Sequence, residues 1–145
     1  MGKYFKFEEF IKSDTAERLG IDNEPTDETV IDNIHILISV MDLIREEWTV
    51  YCEKNGMQHP QIIVNSGYRS EPLNKAIKGS PTSNHKKGTA VDFRAKNWDN
   101  KALWEVVLYT LKKYNIEWNQ LIDECRLTWI HLDIGGDKKE IKYMK

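Results

Sequence analysis

Two short stretches, residues 89–94 (TAVDFR) and 128–134 (TWIHLDI), constrain this chain more than any other feature. Side chains alternate across a strand, so Ala90, Asp92 and Arg94 face one way while Val91 and Phe93 face the other. The same rule puts Trp129, His131 and Asp133 on one face and Ile130, Leu132 and Ile134 on the opposite one. Each strand therefore has an apolar back that must be buried and a front that carries one metal-ligating type of residue. His85, a third such residue, stands just before the first strand, in a loop where Gly88 permits a close turn. If both strands join one sheet, His85, Asp92 and His131 can converge on a common point. Two imidazoles and one carboxylate are what a catalytic zinc ion takes as protein ligands when it leaves one position open for water. Calcium and magnesium prefer oxygen-rich sites, which this is not.

The surrounding pattern predicts α+β: helices packed on a small, mostly antiparallel sheet. Phe5, Phe7, Phe10 and Ile11 begin an amphipathic helical stretch, and Ser13 to Glu17 offers caps for another short helix. Val30, Ile34, Leu37, Ile38, Met41, Ile44 and Trp48 recur mostly at three- and four-residue spacing, which predicts a long helix from Thr29 to Tyr51 with one apolar face. Gln61 to Asn65 reads as a strand, Ser70 to Ile77 as a capped helix, and Lys78 to Lys87 as a loop. A further helix is predicted over Lys101–Lys113, followed by two paired strands, Asn119–Glu124 and Thr128–Ile134, joined by a tight connection. There is no internal repeat or linker, so a single domain over residues 1–145 is expected, a size at which burying about two-thirds of the unfolded surface is normal.

Composition limits the partners. With 30% charged residues and a net charge of −2, the chain lacks the general basic field of a nucleic-acid-binding protein. No run of about 18 apolar residues predicts a membrane span, and MGKYFKFEEF lacks the apolar core of a signal peptide. The Met-Gly start does not continue as a myristoylation motif, because Lys6 stands where that motif has serine or threonine. The chain is therefore expected to start life in a cytoplasm. Cys52 and Cys125 form no CxxC pair, lie outside the His/Asp cluster, and read as ordinary thiols. His35 within the long helix and His59 before Pro60 have no ligand-like neighbours.

The run SGYRS…LN…GS…TSNHKKGTAVDF, with its S-x-H-x-x-G-x-A-x-D element from Ser83 to Asp92, followed by WIHL, resembles the zinc D-Ala-D-Ala carboxypeptidases and related phage endolysins of peptidase family M15. YFKFEEFIKSDTA, GIDNEP and LIREEW are similar to the lead-in helices of the small single-domain members. The resemblance implies a Hedgehog/D-Ala-D-Ala-peptidase-like fold and a zinc ion held by His85, Asp92 and His131. It also implies hydrolysis of a peptide bond in peptidoglycan, as a carboxypeptidase or as an endopeptidase that cuts a stem peptide or cross-bridge. Without a signal peptide the chain would reach the wall after lysis, on a virion or by non-Sec export, and a monomer is expected.

The same resemblance suggests roles nearby. Arg69, after SGY, matches an arginine suited to a substrate carboxylate, for which guanidinium offers a planar fork. Its alternative is a surface salt bridge with Glu71. Ser83 either bonds the substrate backbone or orders the loop before His85, and Trp129 either walls the cleft or simply packs. Lys86 and Lys87 read as solvated, or as drawing in an anionic wall polymer. Many relatives carry an acid three positions before the last histidine, where this chain has Thr128. A QLIDE segment at 120–124 matches small members instead and makes Glu124 the candidate base. If Glu124 lies opposite Trp129, it shares a face with Ile122 and His131; a one-residue slip would present Asp123. The missing acid at Thr128 keeps a second reading open, a non-catalytic peptidoglycan-binding or virion structural module that retains fold and metal.

Overall fold

Ser13 starts the first regular helix, α1 (Asp14–Leu19), by accepting the Ala16 N–H on its hydroxyl at 3.1 Å. The Asp27 carboxylate caps α2 (Glu28–Lys54) in the same way, taking the Thr29 N–H at 2.8 Å. In this computed structural model the remaining elements follow as β1 (Ile62–Ser66), α3 (Glu71–Ala76), β2 (Ala90–Ala95), α4 (Asn100–Lys113), β3 (Gln120–Glu124), β4 (Trp129–Asp133) and β5 (Glu140–Met144). The structure describes residues 2–144; Met1 and Lys145 of the expected domain lie outside the described residues. No described helix is long and apolar enough to cross a membrane.

The strands form one sheet in the order β1-β2-β4-β3-β5. The first three pairings are antiparallel, while β5 runs parallel to β3. The predicted α+β class with a mostly antiparallel sheet therefore holds. The apolar backs of the strands, Val91, Phe93, Leu121, Ile130 and Leu132, are all at 0% exposure. They join Ile34, Leu37, Met41, Ile44 and Trp48 of α2 and Leu103, Val107 and Leu111 of α4 in one continuous cluster. Each fully buried Leu, Ile, Val or Phe contributes roughly 1.5–3 kcal/mol. That is why α2 and α4 lie under the sheet and leave its other face to polar residues.

Three elements differ from expectation. The N-terminal aromatic run forms a 3-10 turn, Phe7–Phe10, rather than a helix, because Phe5 and Phe10 plug into the core from a short segment. The loop before β2 contains a 3-10 turn, Asn84–Lys87. Strand β5 lies outside the expected elements: Ile141 and Tyr143 alternate with Glu140 and Lys142, but the run is short and all five residues are exposed, so no buried apolar face marks it. Its pairing is made by backbone along β3.

Candidate metal centre

One row of directly paired residues crosses the sheet. Ser66 of β1 pairs with Asp92 of β2, Asp92 with His131 of β4, and His131 with Ile122 of β3. Directly opposed residues in an antiparallel pair project to the same side, so Asp92 and His131 stand next to each other on the polar face. The His131 Nδ1 and Asp92 Oδ1 atoms are 2.8 Å apart. His85 arrives from the 3-10 turn, placing its Nε2 at 3.4 Å from Asp92 Oδ2. The three predicted ligands are thus brought together, with their donor atoms within 4.8 Å of one another.

Hydrogen bonding orients the buried His85. Its Nδ1 lies 2.8 Å from the Gly67 carbonyl oxygen, which can only accept. Nδ1 must carry a proton, so Nε2 is the nitrogen free to face a metal in the cluster. A histidine anchored through its second nitrogen on a carbonyl is the usual support of a metal ligand. Gly67 is itself demanded by sterics, since a Cβ there would sit 2.4 Å from the Phe10 carbonyl oxygen. Burial pushes the Asp92 carboxyl upward, but hydrogen bonds from His131 and His85 and their charges overcome it, holding Asp92 well below the ordinary carboxylate range. It is ionised at neutral pH, as a metal ligand must be. Donor set, tautomer and charge state all fit a zinc ion.

Asp133 carries the support that sequence reasoning left out. Fully buried, it accepts from Thr89 Oγ1 at 3.1 Å, Asn119 Nδ2 at 2.8 Å, the Gly135 N–H at 2.8 Å and Asn84 Nδ2. This ties the residue before His85 to the end of β4. The signal available was an aspartate on the same strand face as His131; its partners lie too far away in sequence to be read. Asp133→Asn would turn one acceptor into a donor among donors. We expect a loss of about 2–4 kcal/mol, read as a lower urea midpoint; an unchanged midpoint would mean that these bonds reorganise freely.

Arg69 is mostly buried, and it does not pair with Glu71, which instead meets Lys86 at 2.8 Å. Its Nη1 donates to Asn74 Oδ1 at 3.2 Å and its Nη2 lies 3.9 Å from Asp92 Oδ2, while Nε is buried without a partner. Burial lowers its pKa and the Asp92 charge opposes this; guanidinium stays protonated in any case. A cation with unused donors therefore borders the cluster. The Ser83 hydroxyl accepts the His85 N–H at 3.2 Å and so orders the turn. Trp129 is half-buried and paired with Glu124.

That pairing is the register in which Glu124, Ile122 and His131 share a face. Asp123 turns away and closes the hairpin, accepting the Leu127 N–H at 2.5 Å. Thr128 also serves the turn, donating its hydroxyl to the Cys125 carbonyl at 2.7 Å. Burial first, then the Asp92 charge, pushes the Glu124 carboxyl above its ordinary value; His131 and His85 pull the other way, too weakly to reverse it. Outside the centre, His35 stacks on Phe7 with centroids 5.1 Å apart, and Cys52 and Cys125 are free thiols.

No curated protein matches the chain. Among protein families, residues 3–133 match the model described as Peptidase M15, a span that contains Arg69, His85, Asp92, Glu124 and His131. A match of this extent, over a fold that gathers those residues on one sheet face, makes the chain a member of the peptidase M15 family.

Proposed function

We propose that this protein is a zinc metallopeptidase that hydrolyses peptide bonds in peptidoglycan stem peptides. The observation that carries the reading is the convergence of His85, Asp92 and His131 beside a buried arginine with unused donors. Bound zinc would supply a Lewis acid for the scissile carbonyl and acidify a water. His85 Nε2, His131 Nδ1 and an Asp92 carboxylate oxygen would hold it. Glu124, on the same face and shifted toward neutral by its surroundings, takes the proton of the attacking water on a carboxylate oxygen and delivers it to the departing amine. Arg69 fixes a carboxylate on the leaving side, and Ser83 keeps the His85 turn in place.

Purified peptidoglycan should release new amino groups in the presence of the protein, a chelator should abolish this, and zinc should restore it. Binding to the wall without chelator-sensitive release would favour a non-catalytic module. Arg69→Lys keeps the charge but loses the fork, so cleavage of a peptide ending in a free carboxylate should fall about 10- to 100-fold. An amidated peptide should be poor from the start and nearly insensitive to this change. Equal losses on both would make Arg69 a structural residue.

A further inference from the structure

The centre does not end at Arg69. Ser66 and Arg69 also wall one end of a cleft of about 720 Å³ that runs along β1, between this strand and the segment from Tyr4 to Thr15. Strand β1 is a margin of the sheet and, among the described residues, pairs with β2 alone, so its second edge offers unpaired backbone groups along the cleft. Five residues at about 3.3 Å each give that edge a length of roughly 16 Å, matching four or five residues of an extended peptide.

Arg45 lines the same cleft, and its position along it follows from helix α2. This helix begins beside the His85 turn, where Asn33 Nδ2 meets the Lys87 carbonyl at 3.0 Å, and ends where Cys52 Sγ lies 3.9 Å from Asn97 Nδ2, past the end of β2. Arg45 stands two turns before Cys52, hence toward the Gln61 end of β1, far from Arg69. Its guanidinium lies over the Tyr4 ring at 4.6 Å; it forms no ion pair among the described residues, and its Nε is buried without a partner. Glu9, Asp14 and Lys12 also line the cleft.

We propose that this cleft is a leaving-side subsite: an extended peptide segment continues past Arg69 as an added strand on β1 and places an anionic group against Arg45. This rests on the peptidase reading above and adds the substrate's length and charge to it. In that reading Arg69 meets the carboxylate of the leaving residue, and the cleft opens beyond it. A substrate that ends at the leaving residue uses Arg69 alone, whereas one that continues gains main-chain hydrogen bonds along β1 and the Arg45 contact.

The test is binding of leaving-side peptides to the metal-free protein, which separates this proposal from turnover. The probes are D-Ala-Ala-Ala-Glu amide, its Gln counterpart, and D-Ala amide alone, followed by calorimetry and by backbone amide shifts. The Glu peptide should bind about fivefold more tightly than the Gln peptide, shift β1 amides, and lose that advantage in Arg45→Met while keeping part of it in Arg45→Lys. D-Ala amide should not bind measurably. Absence of saturable binding by the Glu peptide, equal binding of the Glu and Gln peptides to wild type, or shifts away from β1 would each overturn the proposal. The wild-type comparison decides the matter even if Arg45→Met fails to fold. Loss of peptidoglycan cleavage with this binding intact would instead refute the peptidase reading.

Discussion

Glu124→Gln is expected to lower turnover by about two to four orders of magnitude, the usual scale for a general base, with fold and zinc content retained. The substitution removes a titrating site and almost no volume. It acts at a residue paired with Trp129, two positions along β3 from the residue opposite His131. Asp123→Asn should be mild in rate, since Asp123 faces the hairpin and bonds the Leu127 N–H. A second readout comes from linkage. Burial and Asp92 raise the folded pKa of Glu124, so the metal-free native state holds this proton more tightly than the unfolded chain does. Stability must then fall as pH rises from the ordinary glutamate value through the folded one. Above that window Glu124→Gln is relieved of the cost, and its metal-free melting midpoint should equal or slightly exceed wild type. A variant that keeps full activity removes Glu124 from the mechanism. One that is inactive because it has unfolded says that the carboxylate is structural.

How much of this was legible in the sequence depends on the range over which each signal acts. The candidate ligands on β2 and β4 could be placed on one face because strand alternation is local, and an apolar back such as Val91 and Phe93 tells the front from the rear. The β3–β4 register could only be narrowed to two choices. It is set by a connection in which Cys125, Arg126 and Leu127 adopt positive φ of 50°, 57° and 60°, with no glycine or asparagine to announce the turn. Asn100, which donates to the Leu127 and Thr128 carbonyls at 2.7 and 3.1 Å, steadies that turn from the start of a different element. The burial of Arg69 and the Asp133 network were illegible for the same reason: their partners meet only in the folded chain. The exposed strand β5 lies beyond the matched residues 3–133 and offers only the short alternation of Ile141 and Tyr143, with no buried face behind it.

Removing one imidazole should have the largest effect of all. His131→Ala or His85→Ala should leave less than about a tenth of an equivalent of zinc after gel filtration, where wild type retains about one, and activity should fall to background. Changes in groups that merely support a ligand cost about 10–100-fold in metal affinity, and losing the ligand itself must cost more. His85→Ala also strands the Gly67 carbonyl that its Nδ1 serves. His131→Ala withdraws a leading hydrogen bond that holds Asp92 ionised against its burial. Because the folded pKa of Asp92 is depressed, its contribution to stability is fully present above the ordinary aspartate value and is lost as pH falls through the folded one. His131→Ala should therefore lower the metal-free midpoint at neutral pH and narrow its difference from the midpoint at low pH. Added zinc should raise the wild-type midpoint, since binding to the native state alone is stabilising, and leave both histidine variants unmoved. Asp92→Asn tests the third ligand in the same way. A variant that keeps a full equivalent of zinc and still melts higher when zinc is added removes its residue from the ligand set, and the open position would then have to be sought among the remaining two and Glu124.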